Sequence, residues 1–156
     1  MDKIIQFVPY PQEYKWGKKG SSGVAGSFWK HVSANNNVSP SFSEEKNYAE
    51  IWFGLHSKSI NYAIPSLQIL KDLTPHREKD ILLKIISCNE PLSLQLHPDE
   101  ESAHKLNRDY PSKYPEPKPK PEMSVSLSET VEMFCGRLKP SESDSLSSCY
   151  LLMVIK

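Results

Sequence analysis

Three stretches of the chain alternate apolar and polar side chains with the period of a half-buried strand. In Pro91–Pro98, Leu92, Leu94 and Leu96 fall on one face and Ser93, Gln95 and His97 on the other. Pro98 lacks the amide donor that a central strand needs, which predicts a strand end there. After Lys120-Pro121, the residues Met123, Val125 and Leu127 face one way and Glu122, Ser124 and Ser126 the other. In Tyr48–His56, the apolar face is Ala49, Ile51, Phe53 and Leu55; Tyr48, Glu50, Trp52 and His56 make the opposite face, and Gly54 leaves room. One such strand is an ordinary solvated sheet face, whereas several aimed at one cleft make a site.

Shorter signals fill the rest of the chain. Ile4–Val8 predicts a strand ended by Pro9-Tyr10-Pro11, and Val24–His31 a short helix. The polar run 33–46 reads as a surface loop. Ser66 suits an N-cap for a helix over 67–73, closed before Pro75. Ile81–Ile86 is a β-rich run positioned to form a hairpin with the Pro91–His97 strand across the Asn89-Glu90 turn. Asp99 is placed to cap a helix over 99–108 with Glu100 and Glu101 in its first turn and Lys105 and Arg108 near its end, charges matched to the helix dipole. His104 lies on that helix and reads as solvated. The prolines at 111, 115, 117, 119 and 121 predict an extended loop that delivers Lys120 and Glu122. Residues 124–138 read as one or two strands with a turn near Ser128-Glu129, and Tyr150–Ile155 as a short apolar end.

If the strands share a sheet, Gln95, His97 and Glu122 converge on one face. An amide oxygen, an imidazole and a carboxylate form an N/O donor set suited to a divalent ion such as zinc. The same residues also suit a solvated sheet face. The glycine-rich stretch Tyr14–Gly23 is not a phosphate loop, because Gly20 is followed by Ser21 and no Gly-Lys-Ser/Thr order occurs; it reads as a mobile loop carrying an aromatic residue. The prolines contain no P-x-x-P pair, which argues against a ligand for SH3 or WW modules and against an interaction module built on that run.

Composition narrows the choices. At 156 residues the chain suits one domain with a moderate core. Its 19 basic and 19 acidic residues balance, so no field favours nucleic acid or an anionic membrane. The three cysteines, Cys88, Cys135 and Cys149, form no C-x-x-C pair and leave an odd count, which fits a reducing compartment, the cytoplasm. The N-terminus does not read as a signal peptide, and no apolar run approaches the length of a membrane span. No internal repeat is present.

Four motifs taken together resemble one family. They are Tyr-x-Trp-Gly at 14–17, Tyr-Ala-Glu-x-Trp-x-Gly-x-His at 48–56, Ser-x-Gln-x-His-Pro at 93–98 and Lys-Pro-Glu-Met at 120–123, with the β run centred on Lys84 before the third. In this order they resemble the type I mannose-6-phosphate isomerases over roughly residues 4–138. The resemblance implies a mainly β, cupin-like β-sandwich with short helices, here incomplete, and one zinc ion held by Gln95, His97 and Glu122. It implies interconversion of mannose 6-phosphate and fructose 6-phosphate, feeding GDP-mannose synthesis. Trp16, Glu50, His56, Ser93 and Lys120 are implied around the sugar-phosphate pocket: Trp16, Ser93 and Lys120 for binding, and Lys120, Glu50 and His56 as candidates for catalysis. The expected partner is a small-molecule sugar phosphate, with no nucleic acid and no membrane, and the expected state is a monomer.

The chain departs from the family in three places. Lys118-Pro119 stands where members carry Asn-His. Members are at least twice this length, and their second half holds a fourth ligand, a histidine, and an arginine expected to serve catalysis. The tail is serine-rich and unlike the family, so the expected division is 1–138, the N-terminal part of the catalytic domain, and 139–156, a divergent tail. The alternative reading is a truncated, inactive product of the family that binds metal or sugar phosphate.

Overall fold

The computed structural model describes residues 4–56, 59–74, 81–92, 95–128 and 150–151. The chain divides into two compact units, Met1–Glu90 and Pro91–Lys156. In the first, β1 (Phe7–Val8), β2 (Tyr10–Gln12) and β3 (Lys18–Lys19) lead through a 3-10 turn at Gly20–Ser22 into α1 (Val24–Asn36). Then come β4 (Asn47–Tyr48), β5 (Glu50–Phe53), β6 (Tyr62–Ala63), α2 (Leu70–Leu73) and β7 (Leu83–Ile86). In the second unit, β8 (Leu96–His97) precedes α3 (Glu100–Asp109), and β9 (Tyr150–Leu151) pairs antiparallel with β8. The expected mainly β architecture with helical additions is what forms.

The largest sheet runs β2-β5-β7, all antiparallel. Its register sets Pro11, Ile51 and Ile85 abreast, and Tyr10, Trp52 and Lys84 abreast one residue away. Successive side chains point to opposite faces, so these two rows lie on different sides. The row with Ile51 meets α1. Val8, Ala25, Trp29, Val38, Tyr48 and Ile51 are buried together, with Phe28, Val32, Phe53 and Ile85 packed against them. The buried residues of α1, Ala25, Gly26, Trp29 and Ser33, recur at helical spacing along one face.

Several expectations are corrected. The helix at Val24 runs on to Asn36, through the polar residues read as the start of a loop, and ends where Asn37 takes a left-handed φ of 49°. Packing of Trp29 and Ser33 into the core carries the helix past its unfavourable Ser and Asn composition. The glycine-rich stretch is not a loose loop but β3 followed by the 3-10 turn, with Gly20 at a φ of +53° that suits glycine. β1 ends at Val8 before Pro9, as expected, but Tyr10 and Pro11 open a second strand, β2, at the edge of another sheet, where proline is tolerated.

The 67–73 helix is shorter than expected, Leu70–Leu73, with Ile69 and not Ser66 at its N-cap. Leu67 has a φ of 54° and donates its N–H to the Ala63 carbonyl, so the helix cannot begin there. The β-rich run forms β7 but pairs with β5, not with the strand after Asn89. Among the described residues of Pro91–His97 only Leu96–His97 is strand; Ser93 and Leu94 lie outside the described residues. Residues 121–128 carry no strand, and Met123, Val125 and Leu127 are 91%, 73% and 76% exposed. Alternation alone does not make a strand; it needs a partner edge and a core to bury the apolar face. The strands expected over 129–138 fall outside the described residues. By contrast α3 forms as read, with the Asp99 carboxylate accepting from the Ser102 N–H at 2.8 Å.

Candidate functional site

The face of the β2-β5-β7 sheet opposite the Ile51 row carries the chemistry of the first unit. Glu50 and Trp52 come from β5 and Lys84 from β7, directly across from Trp52. The Glu50 carboxylate is buried. Its Oε2 accepts from the Trp52 indole N–H and stands 3.5 Å from the Lys84 ammonium. Lys84 also lies 4.9 Å from the centroid of the Trp52 ring, a cation–π distance. His56 meets the same indole edge-on, ring centroids 4.6 Å apart and planes at 86°. A carboxylate, an ammonium and an imidazole are thus gathered about one indole. A buried charge is tolerated because it is paired and hydrogen-bonded.

The Tyr14–Gly17 turn presents two further rings. Gly17 N–H donates to the Tyr14 carbonyl, and the rings of Tyr14 and Trp16 stack at 5.6 Å. The turn is tied down from two sides: Asn89 N–H donates to the Trp16 carbonyl at 2.8 Å, and the Asn47 amide to the Lys15 carbonyl at 2.7 Å. Burial pushes the Tyr14 phenol up from its ordinary pKa, and the charge of Glu50 adds to the rise. The Cys88 thiol is raised for the same two reasons, burial first and Glu50 second, against a smaller opposing effect of Lys18.

The alternation rule located Glu50, Trp52 and His56 on one side but misplaced Tyr48. Tyr48 and Ile51 are three residues apart yet share the core, because Ala49 sits between β4 and β5 and shifts the alternation by one. Tyr48 stacks on Phe42 at 5.2 Å, and its hydroxyl accepts from the Ser43 N–H. Lys84 stands beside these residues, although the sequence did not single it out as a candidate. Its signal was present as the one charged side chain in Ile81–Ile86, but only the register across β5 places it beside Glu50.

In the second unit, His97 lies in β8 and Gln95 just before it. The Glu122 carboxylate is mostly buried, and its Oε1 pairs with Lys120 at 2.8 Å. Lys120 and Glu122 thus pair with each other, while Ser93 lies outside the described residues. Among the described residues no three His, Cys, Asp or Glu side chains gather as metal ligands. The set Gln95, His97 and Glu122 contains two such residues and an amide, a donor set that suits zinc in kind.

Residues 4–138 match the family model for the phosphomannose isomerase type I catalytic domain. Mannose-6-phosphate isomerase of Candida glabrata is 35% identical over 158 residues, covering 90% of this chain and 35% of that protein. The Saccharomyces cerevisiae mannose-6-phosphate isomerase is 34% identical over 152 residues, covering 86% and 34%. The chain thus spans about a third of the length of the curated relatives it matches. Among solved structures, a lysine-to-alanine mutant of phosphomannose isomerase from Salmonella typhimurium superposes with a TM-score of 0.54 at 20% identity, over 74% of this chain and 32% of that one. A mannose 6-phosphate isomerase bound with zinc and yttrium superposes with a TM-score of 0.51 at 16% identity, over 74% and 33%. These neighbours share the fold, the cupin-type sandwich expected from the motifs.

Proposed function

The chain belongs to the phosphomannose isomerase type I family, and on that premise we propose that it carries the N-terminal share of a zinc-dependent isomerase of mannose 6-phosphate and fructose 6-phosphate. Residues 1–138 are the catalytic-domain part and 139–156 a divergent tail. The observation that carries the reading is the Glu50–Trp52–Lys84–His56 cluster on one sheet face, within the span that matches the family.

Aldose–ketose isomerisation moves a proton between two neighbouring carbons through an enediol. It asks for an acid–base group, cationic groups for phosphate and developing charge, and polarisation of the sugar oxygens. Glu50 and His56 supply candidate acid–base groups, the first held in place by the Trp52 N–H and the nearby Lys84 charge. Lys120 supplies a cation for the phosphate or for proton transfer, and Trp16 and Ser93 are the further substrate-binding candidates. Zinc, when bound, supplies Lewis acidity, and Gln95, His97 and Glu122 are the residues that would hold it. The substrate class is a small sugar phosphate, the compartment the cytoplasm, the state a monomer and the product a feed for GDP-mannose synthesis. Among the described residues no helix is long and apolar enough to cross a membrane.

The 156 residues span about a third of the relatives' length, and the second half, to which the resemblance assigns a histidine ligand and an arginine, is not among them. Loss of one charge-stabilising group costs on the order of 10²–10³ in rate. We therefore assign the isolated chain binding with little or no turnover. The experiment is zinc titration by calorimetry on the purified chain and on His97→Ala, with a coupled assay for fructose 6-phosphate at saturating zinc. Zinc should bind the wild type and not the variant. Equal binding by both would remove the ligand assignment, and turnover at an ordinary enzyme's rate would show that the second half is dispensable.

A further inference from the structure

The residue at the centre of the Glu50 face is Trp52, which the functional reading leaves without a part. We propose that Trp52 is a positioning residue: its indole sets the places of the Glu50 carboxylate and the Lys84 ammonium and keeps the two from closing into a tight pair. The proposal rests on the reading of this face as part of a sugar-phosphate site.

The distances carry it. Four other lysine–glutamate pairs among the described residues, Lys19–Glu45, Lys30–Glu44, Lys46–Glu13 and Lys120–Glu122, close to 2.7–2.8 Å. Lys84–Glu50 is the most buried of the five, yet it stands at 3.5 Å. Attraction between opposite charges strengthens as water is excluded, so burial alone would draw this pair in. The Trp52 N–H occupies the same oxygen, Oε2, that faces Lys84. The ammonium is meanwhile held 4.9 Å from the indole centroid, where the electron-rich face attracts it. One side chain thus competes for the carboxylate and offers the cation a second seat.

A lysine closed onto Glu50 would spend one of its three donors on the carboxylate. Held off, Lys84 keeps donors for an incoming oxygen while Glu50 remains fixed beside it. An acceptor and a cationic donor on one rigid sheet face suit a phosphorylated polyol. The indole is itself pinned by His56 against its edge, so the arrangement is set before any ligand arrives, which is how binding energy is conserved for recognition.

The test uses the whole chain with its lysines dimethylated by ¹³C-formaldehyde, which keeps their charge; the Lys84 signals are assigned by their loss in K84R. In the wild type the Lys84 methyl signals should be displaced upfield by the indole ring current, and in W52L they should return to the position of exposed lysines. W52F keeps an aromatic face and loses the N–H. It should retain part of the displacement and, on unmodified protein, weaken mannose 6-phosphate binding about tenfold, the usual cost of one hydrogen bond to a charged group. Should W52L fail to fold, W52F alone decides. Undisplaced Lys84 signals in the wild type, or W52F binding the sugar phosphate as tightly as the wild type, would overturn the proposal. A wild-type chain that binds no mannose 6-phosphate sinks the functional reading instead, and the positioning role then stands or falls on the Lys84 signals.

Discussion

The Ser87 hydroxyl accepts a hydrogen bond at 2.9 Å from the Ala25 N–H, 62 positions away in the chain. Gly23 stands at the N-cap of α1 and makes no side-chain cap. The first turn of a helix leaves amide donors without intrahelical partners. Here a residue following β7 satisfies one of them, and in doing so ties the helix to the strand that carries Lys84.

Ser87→Ala leaves that buried donor unpaired. The expected loss is about 1–2 kcal/mol, the range for a removed helix cap and a stranded buried amide. A thermal melt should show the midpoint about 5 °C lower or more, as expected for a unit of this size. Ser87→Thr should recover part of the loss, since it restores the hydroxyl. A midpoint unmoved by S87A would mean that the bond contributes nothing.

Gly17→Ala should damage the Tyr14–Gly17 turn itself. A Cβ on Gly17 would lie 2.5 Å from the Ala49 nitrogen and 2.6 Å from the Ala49 Cα, both backbone atoms that cannot rotate away. The turn must lift off the junction of β4 and β5, at about 1–3 kcal/mol for overpacking of this kind. Trp16 then moves with it, and a change in tryptophan emission should accompany the lower stability. Wild-type stability and emission in G17A would contradict the close packing.

Glu44 makes stability pH-dependent. The Lys30 ammonium, then the Ser21 N–H and hydroxyl, hold its carboxyl down to about 2 from an ordinary 4.5. A lowered folded-state value stabilises the fold above the unfolded pKa, and that contribution is lost as pH falls through the folded one. Wild type should therefore exceed Glu44→Gln in stability by its full margin near neutral pH. The margin should shrink from about pH 4.5 downward and vanish near pH 2. Urea unfolding of both proteins across that range measures it; a margin independent of pH would show that the charge of Glu44 plays no part.

Local signals were legible from the sequence alone. Helix α3 needs only its own residues: an Asp99 cap three positions before the Ser102 amide, acids in the first turn and Arg108 in the last. The side of the strand that bears Glu50, Trp52 and His56 followed from alternation, because successive side chains of an extended chain must point opposite ways. The motifs that mark the family are likewise short and contiguous. What depends on distant residues was not legible. Nothing near Ser33 announces that Trp29 packs against Tyr48 and Ile51 and carries α1 to Asn36. Nothing near Ala49 shows that the alternation slips there and turns Tyr48 inward. The β7 run identified itself as a strand but not its partner, since a strand's register is chosen by pairing and burial across the sheet. Only that choice, Trp52 opposite Lys84, brings the ammonium to the buried carboxylate, because a charge separated by more than thirty positions in sequence finds its counterpart through the fold and not along the chain.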